Sequence, residues 1–308
     1  MIDKHALDDA LRHEQEAIVV INTRSRKAQR SFHHAVDLLE QRGVCVLSAR
    51  AVDDPSALQA TLRTELAAHR CRLVVIGGGD GTISEVVDCL AEHYRVLGLL
   101  PLGTSNNFAR TLGIPIGIEA AVDIIATGKI ADVDLGRVDG DYFANVVSAG
   151  LTVAIAARVA PWGKRHLGRL AYVIAGLRAV ASQRAFQVTL SVDGAVHRLI
   201  SHQVVIANGR FHAGRPIVAA ASADDRLLIV QAIIARGRWR LIRSLGAYLT
   251  GRDQIPDTLV VAGSQITLDC VPPQQLEIDG ELKATTPVQI TIAAEALNVM
   301  VPGTFEDV

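Results

Sequence analysis

Aromatic residues are scarce in this 308-residue chain, at 4%, and the formal net charge is only −1. A protein that grips nucleic acid ordinarily carries a basic excess and stacking aromatics, so this composition argues against a nucleic-acid partner. Cysteine is sparse too. Cys45, Cys71, Cys89 and Cys270 stand far apart, with no CxxC pair and no histidine cluster beside them. That spacing argues against a zinc site and a disulfide framework; reduced, buried thiols in a cytoplasmic protein are expected. Long apolar runs are missing as well. Residues 146–160 and 170–181 are the most apolar, yet each is too short for a bilayer span and carries small or charged residues. The polar start, MIDKHALDDALRHEQEA, lacks the apolar core of a signal peptide. What the chain does have is 49% hydrophobic and 20% charged residues, the balance of a globular protein, and enough length for about two domains.

Up to about residue 130 the pattern alternates between strands and helices. Residues 17–22 (AIVVIN), 44–49, 72–76 (RLVVI) and 96–100 read as strands. Helices are expected after the first strand as far as Gly43, after a cap at Asp53 or Asp54 with Pro55 in the first turn, over residues 83–93, and on either side of Pro115. Such alternation predicts parallel strands joined by helical crossovers. Beyond residue 130 the pattern changes. Asp139-Gly140 and Asp193-Gly194 sit between alternating apolar runs and mark hairpins. Further strands are expected at 203–207, 227–234, 265–270 and 288–292, with helices at 168–182 and 240–249. The fold class is therefore α/β plus all-β, an α/β domain followed by an antiparallel β domain.

The segment RLVVIGGGDGTISEVVDCL (residues 72–90) carries the chemistry. A strand runs into Gly77, Gly78, Gly79, Asp80, Gly81 and Thr82, and a helix follows at once. Glycines let a phosphate approach the backbone, and the N–H groups at a helix start favour anions. Asp80 is the odd member, because a carboxylate repels phosphate unless Mg²⁺ or a transferred proton lies between them. A P-loop would need Gly-Lys-Ser/Thr, and this loop has no lysine. A dinucleotide fingerprint started at Gly79 and Gly81 meets Ser84 where a third glycine belongs. A tight structural turn is the bland alternative; five glycine or aspartate positions in a row favour a phosphate site. A second loop, PLGTSNNFAR (residues 101–110), follows the next strand and offers Thr104, Ser105, Asn106 and Asn107. Alone it reads as a helix cap. Beside the first loop, at the carboxyl ends of adjacent parallel strands, it suggests a shared ligand crevice.

GGGDGT followed by ISE, then PLGTSNNFAR, then IDGE at residues 278–281, together resemble the diacylglycerol kinase catalytic-domain family, and among its members the bacterial YegS-like and diacylglycerol kinase B-like lipid kinases. GGDGT alone also occurs in NAD kinases and phosphofructokinases; its combination with LGTxNxFA is far more specific. The resemblance covers nearly the whole chain. It implies an ATP-binding domain over residues 14–130 of phosphofructokinase/NAD kinase-like fold, a β-sandwich lipid-substrate domain over 131–290, and a final segment, 291–308, returning to the first domain. It implies transfer of the γ-phosphoryl group of ATP, with Mg²⁺, to the hydroxyl of diacylglycerol or a related lipid. The nucleotide site would be built from Asn22, Gly77, Gly78, Gly79, Gly81, Thr82, Glu85 and Thr104, with Asn106 shaping the same loop. Glu281 would be the general base, although Asp80 takes that role in some relatives. By spacing alone, Asp279-Gly280 is simply another hairpin turn. A kinase of a soluble acceptor such as NAD, and an idle lipid- or nucleotide-binding regulator, are the competing readings.

Three departures from the family pattern stand out. The first strand ends Asn22-Thr23-Arg24-Ser25-Arg26 where Asn-Pro-x-Ser-Gly is usual. Asn107 replaces an aspartate. SADDRLL (residues 222–228) has Arg226 where glycine is usual, in a segment that the resemblance makes a structural Mg²⁺ site through Asp225, with Ser222 and Leu227 offering carbonyls. Residues 236–249 (RGRWRLIRSLGAYL) form a basic amphipathic pattern, with Leu241, Ile242, Leu245, Tyr248 and Leu249 on one face, Arg236, Arg240 and Arg243 opposite, and Trp239 at the margin. Peripheral contact with an anionic membrane surface is expected there, weighed against plain packing on the β domain. A homodimer is compatible with this layout.

Overall fold

The computed structural model describes residues 4–91, 95–158, 184–209, 211–212, 215–216, 223–234, 241–244 and 257–306. Helix α1 (Lys4–Glu14) leads into β1 (Glu16–Asn22), whose five central residues are all buried. An unbroken apolar run is what a parallel strand covered on both faces requires. Helix α2 (Arg26–Gln41) is capped by Ser25, whose Oγ accepts the Ala28 N–H at 3.1 Å. Then come β2 (Cys45–Val52), a 3-10 turn at Pro55–Ala57 capped by Asp54, α3 (Leu58–Ala68), β3 (Leu73–Gly78), α4 (Asp80–Leu90), β4 (Val96–Pro101), α5 (Asn107–Thr111) and α6 (Ile118–Thr127). The four strands are parallel in the order β2-β1-β3-β4. Helix α4 starts three residues ahead of the expected 83, because the Asp80-Gly81-Thr82 stretch itself forms the first turn.

The rest of the chain is mostly strand: β5 (Lys129–Val138), β6 (Asp141–Phe143), β7 (Val146–Gly150), helix α7 (Leu151–Arg158), β8 (Phe186–Val192), β9 (Ala195–Ser201), β10 (Gln203–Ala207), the short β11 (Phe211–His212) and β12 (Arg215–Pro216), β13 (Leu228–Ile233), β14 (Thr258–Gly263), β15 (Gln265–Val271), β16 (Gln275–Ile278), β17 (Glu281–Thr285) and β18 (Val288–Val301). One sheet, β14-β13-β10-β7-β16-β17, is antiparallel throughout. Its inner face meets β8, β15 and the start of β18 across a core that includes Phe143, Val147, Leu190, Ile206, Leu268 and Ile290. An α/β unit followed by an antiparallel sandwich is the fold class the sequence pattern implied. The Asp139, Asp193 and Asp279 turns all carry an aspartate and a glycine at positive φ, the backbone that tight hairpins demand.

Strand β18 extends well past the expected 292. Its first part pairs antiparallel with β15, and Asn298 and Val299 pair parallel with β4 in the first domain. Strand β5 runs antiparallel along β18 through both parts, so the two strands form a spine shared by the two domains. Between Ala293 and Leu297 the register shifts, and Glu295 takes φ +53°. Asp134, buried on β5, pins this bulge: its Oδ1 accepts the Glu295 N–H at 2.9 Å and its Oδ2 the Arg226 N–H at 2.7 Å. The sequence pattern fails here because alternation stops at the bulge and resumes as the buried run Leu297–Val301, which lies in the parallel sheet.

The helix expected at 168–182 lies outside the described residues. Of the basic segment, residues 241–244 are described and helical. Leu241 packs with Leu151 and Ile233, Ile242 is exposed, and Arg243 pairs with Asp257 at 3.3 Å. Arg236, Trp239 and Arg240 lie outside the described residues.

Candidate active site

The carboxyl ends of β1, β3 and β4 meet at one edge of the parallel sheet. There, two loops press backbone against backbone. A Cβ on Gly103 would lie 2.4 Å from Gly79 Cα, and one on Gly78 would lie 2.2 Å from Thr82 Oγ1. These glycines are required by crowding within the protein. Gly77 is likewise a packing residue, since a Cβ there would strike Ile21. Gly81 differs: nothing lies within 4 Å of its Cβ direction, so it faces open space in the first turn of α4.

Asn106 holds the second loop. It adopts a left-handed backbone, φ 49° and ψ 51°, and makes no side-chain cap to α5. Its Oδ1 accepts the Gly103 N–H at 2.9 Å, and its Nδ2 donates to the Gly103 carbonyl at 3.0 Å. Instead, Asp80 from α4 serves α5, accepting the Phe108 N–H at 3.1 Å. Burial pushes the Asp80 carboxyl above its ordinary range, and backbone N–H groups, that of Phe108 first, oppose the rise. Asn22 completes the frame by donating to Thr82 Oγ1 at 3.1 Å. The result is a pocket of about 460 Å³ lined by Asn22, Arg24 and Ser25, by Gly78, Gly79 and Thr82, and by Gly103 and Thr104. An open helix start, hydroxyls and a guanidinium around a crowded glycine cradle suit a polyphosphate.

Helix α4 also faces the second domain. Glu85 meets Glu281 at the start of β17; burial first, then the Glu281 charge, raises the Glu85 carboxyl, while Lys283 lowers it. Lys283 Nζ lies 3.1 Å from Glu281 Oε2 and 3.5 Å from Ser84 Oγ. Behind this contact sits Asp279, whose Oδ2 accepts the Ala144 N–H at 2.8 Å and whose Oδ1 accepts those of Asn145 and Val146 at 3.0 and 2.9 Å. Burial pushes the Asp279 carboxyl up to about 6 against those three donors, and the Asp80 charge adds to the rise. One helix thus carries the glycine loop at its start and, one turn later, Glu85, which meets Glu281 of β17.

The proposed structural metal turn lies elsewhere. Asp225 Oδ1 accepts the Leu227 N–H at 3.1 Å, Arg226 takes φ +57° and pairs with Glu295, and Ser222 lies outside the described residues. The turn keeps its left-handed backbone with arginine in the place of glycine. Among the described residues, no three Asp, Glu, His or Cys side chains gather as a ready metal cage. The loop glycines, Asp80, Thr82, Asn22, Thr104 and Asn106 come together, whereas Glu85 belongs with Glu281 at the domain seam. Sequence reasoning missed Arg24, Lys283 and Asp134, and read Asp279 as a turn residue without its side-chain contacts. Arg24 sat inside the quoted Asn-x-x-Ser stretch and Lys283 two residues beyond Glu281, so each was visible as a cation beside a named residue.

Comparison with known proteins agrees with this geometry. Residues 16–138 match the diacylglycerol kinase catalytic domain, and residues 145–301 match the YegS C-terminal NAD kinase β-sandwich-like domain. The chain belongs to the diacylglycerol kinase family. A diacylglycerol kinase of Bacillus subtilis (strain 168) is 30% identical over 247 residues, covering 77% of this chain and 80% of the relative. One from Staphylococcus aureus (strain bovine RF122 / ET3-1) is 29% identical over 300 residues, covering 94% and 93%. The crystal structure of a diacylglycerol kinase from Bacillus anthracis str. Sterne superposes with a TM-score of 0.75 at 19% identity, over 95% of this chain and 98% of that one, and so shares the fold. In this family member the described helices include none long and apolar enough to cross a membrane.

Proposed function

We propose that this diacylglycerol kinase family member is an ATP-dependent lipid kinase that transfers the γ-phosphoryl group to the hydroxyl of diacylglycerol or a close relative. The observation that carries the reading is the placement of α4: its open N-terminus meets the pocket of about 460 Å³, and its next turn meets Glu281 from the other domain. ATP would lay its phosphates on Gly79 to Thr82, with Arg24 and Thr104 beside them. In the transfer, Glu281 takes the hydroxyl proton, the oxygen bonds to the γ-phosphorus, and the bridging bond to the β-phosphate breaks, leaving ADP. Asp80, with the phosphates, would hold a Mg²⁺ ion, which would supply charge neutralisation to the transferred group. The rest of the catalysis is positioning, which the loop contacts supply.

The lipid is reached from a membrane surface, and among the described helices none is long and apolar enough to span it. The basic segment at residues 236–249 supports peripheral attachment to anionic headgroups, each arginine contributing on the order of 1 kcal/mol. Vesicle sedimentation at low salt should show weaker binding for the combined Arg236→Glu, Arg240→Glu, Arg243→Glu variant. The function itself is tested with radiolabelled ATP against a panel of lipids in mixed micelles, with NAD as the soluble acceptor. Label entering diacylglycerol supports the reading; label entering NAD alone removes it.

A further inference from the structure

Three features of the domain seam bear on how Glu281 can act as a base. First, Glu85 and Glu281 face each other across the seam, the one from α4 and the other from β17. Two facing carboxylates tend to hold one proton between them, and whenever that proton sits on Glu281 this residue cannot accept another. Second, Lys283 reaches both sides of the seam, with Nζ 3.1 Å from Glu281 Oε2 and 3.5 Å from Ser84 Oγ, the residue that precedes Glu85. Third, Lys283 is the extra residue of a β-bulge. Leu276 pairs with Ala284 and Glu277 with Leu282, so Lys283 has no partner on β16 and the strand bends there. A bulge re-aims a side chain, and beside a catalytic group it does so at a useful place.

We propose that Lys283 is a positioning residue: it keeps the Glu85–Glu281 pair ionised, so that Glu281 stands ready to accept the proton of the lipid hydroxyl. The inference rests on the kinase reading and adds the group that sets its working pH. Among the described residues, the charged groups that act on Glu85 are Glu281 and Lys283 from β17 and Asp88 on its own helix; Lys283 pairs with Glu281, and Asp80 acts on Asp279 in the adjoining turn. Lys283 is the cation of that set, and the other members are carboxylates.

The test is the pH dependence of kcat/KM for Lys283→Met and Lys283→Arg. With the cation removed, the pair takes up a proton at higher pH, so the acid limb moves upward. Lys283 and Glu281 have side chains 34% and 44% exposed. Solvent therefore screens them, and a displacement of about one half to one pH unit is expected. Lys283→Arg should restore the limb, and the KM for ATP should be unchanged in both variants. A Lys283→Met profile that superposes on the wild type, or one lowered equally at every pH, overturns the proposal. Titration of carbon-labelled glutamate carboxyls by NMR, assigned with Glu85→Gln and Glu281→Gln, reads the same displacement without turnover. Absence of lipid phosphorylation would therefore sink the proposed function while leaving this test decisive.

Discussion

Asn106 grips Gly103 from both ends, its Oδ1 accepting the glycine N–H at 2.9 Å and its Nδ2 donating to the glycine carbonyl at 3.0 Å. The pair shapes the loop that leans on Gly79. Asn106→Ala removes both bonds and places alanine in a left-handed backbone, so a loss of about 1–3 kcal/mol in stability and a roughly tenfold rise in KM for ATP are expected. Asn106→Gly tolerates the backbone and loses only the bonds. Denaturant unfolding of the two variants separates the contributions; equal stability of Asn106→Ala and wild type would show that the loop holds itself.

The loop glycines divide into two kinds, and alanine substitution tells them apart. Gly103→Ala would drive a methyl into Gly79 Cα, so both thermal stability and ATP binding should fall. Gly81→Ala meets no protein atom within 4 Å, so its stability should stay near wild type while ATP binding weakens about tenfold or more. Calorimetric titration with ATP, beside melting curves, decides. Unchanged affinity in Gly81→Ala would place the phosphates elsewhere.

Asp279 ties the β16–β17 hairpin to the Ala144–Val146 backbone, and its titration is written into the stability of the fold. The native pKa of about 6 lies above the ordinary 3.8. This carboxyl therefore contributes most below about pH 4, and the contribution is lost as the pH rises towards 6, by on the order of 3 kcal/mol. Asp279→Asn cannot titrate, and its amide opposes one of the three donors, so it should be less stable at neutral pH and lack this component between pH 4 and 6. Chemical denaturation in steps of pH checks both points. Parallel curves for the two proteins would contradict the assignment.

The Asp225–Leu227 turn yields a metal prediction of its own. Mg²⁺ titration of nucleotide-free protein should show a site that Asp225→Ala loses and Glu281→Gln keeps. Arg226 sits at φ +57°, so Arg226→Gly should cost little stability despite losing its pairing with Glu295. Identical Mg²⁺ isotherms for wild type and Asp225→Ala would remove the site.

Much of the first domain was legible because its signals are local. The run AIVVIN, the glycines after RLVVI and the Pro55 turn each announce their structure within a few residues. The Asp279 turn was legible as backbone, but its side chain is satisfied by Ala144 to Val146, far away in the chain, which no local pattern reports. By spacing alone Asn106 read as a helix cap, and Asp80 as a metal-organising or proton-accepting group, with no sign that Asp80 also accepts the N–H at the start of α5. Helix α1 was passed over because its buried Leu7 and Leu11 stand alone among charged residues. The Lys283 bulge and the shared β5–β18 spine follow from pairings between distant strands. Tertiary contact writes these features, and spacing does not.

The account turns on Glu281 as the group that takes the acceptor proton, and steady-state transfer of label from radiolabelled ATP to diacylglycerol by wild type and Glu281→Gln addresses it most directly. The variant keeps its size and its place beside Glu85 and Lys283, so it should fold and bind ATP as the wild type does. Wild type should label the lipid, and Glu281→Gln should do so about 100-fold more slowly or worse. Equal rates for the two proteins, or no label in any lipid with the wild type, would contradict it.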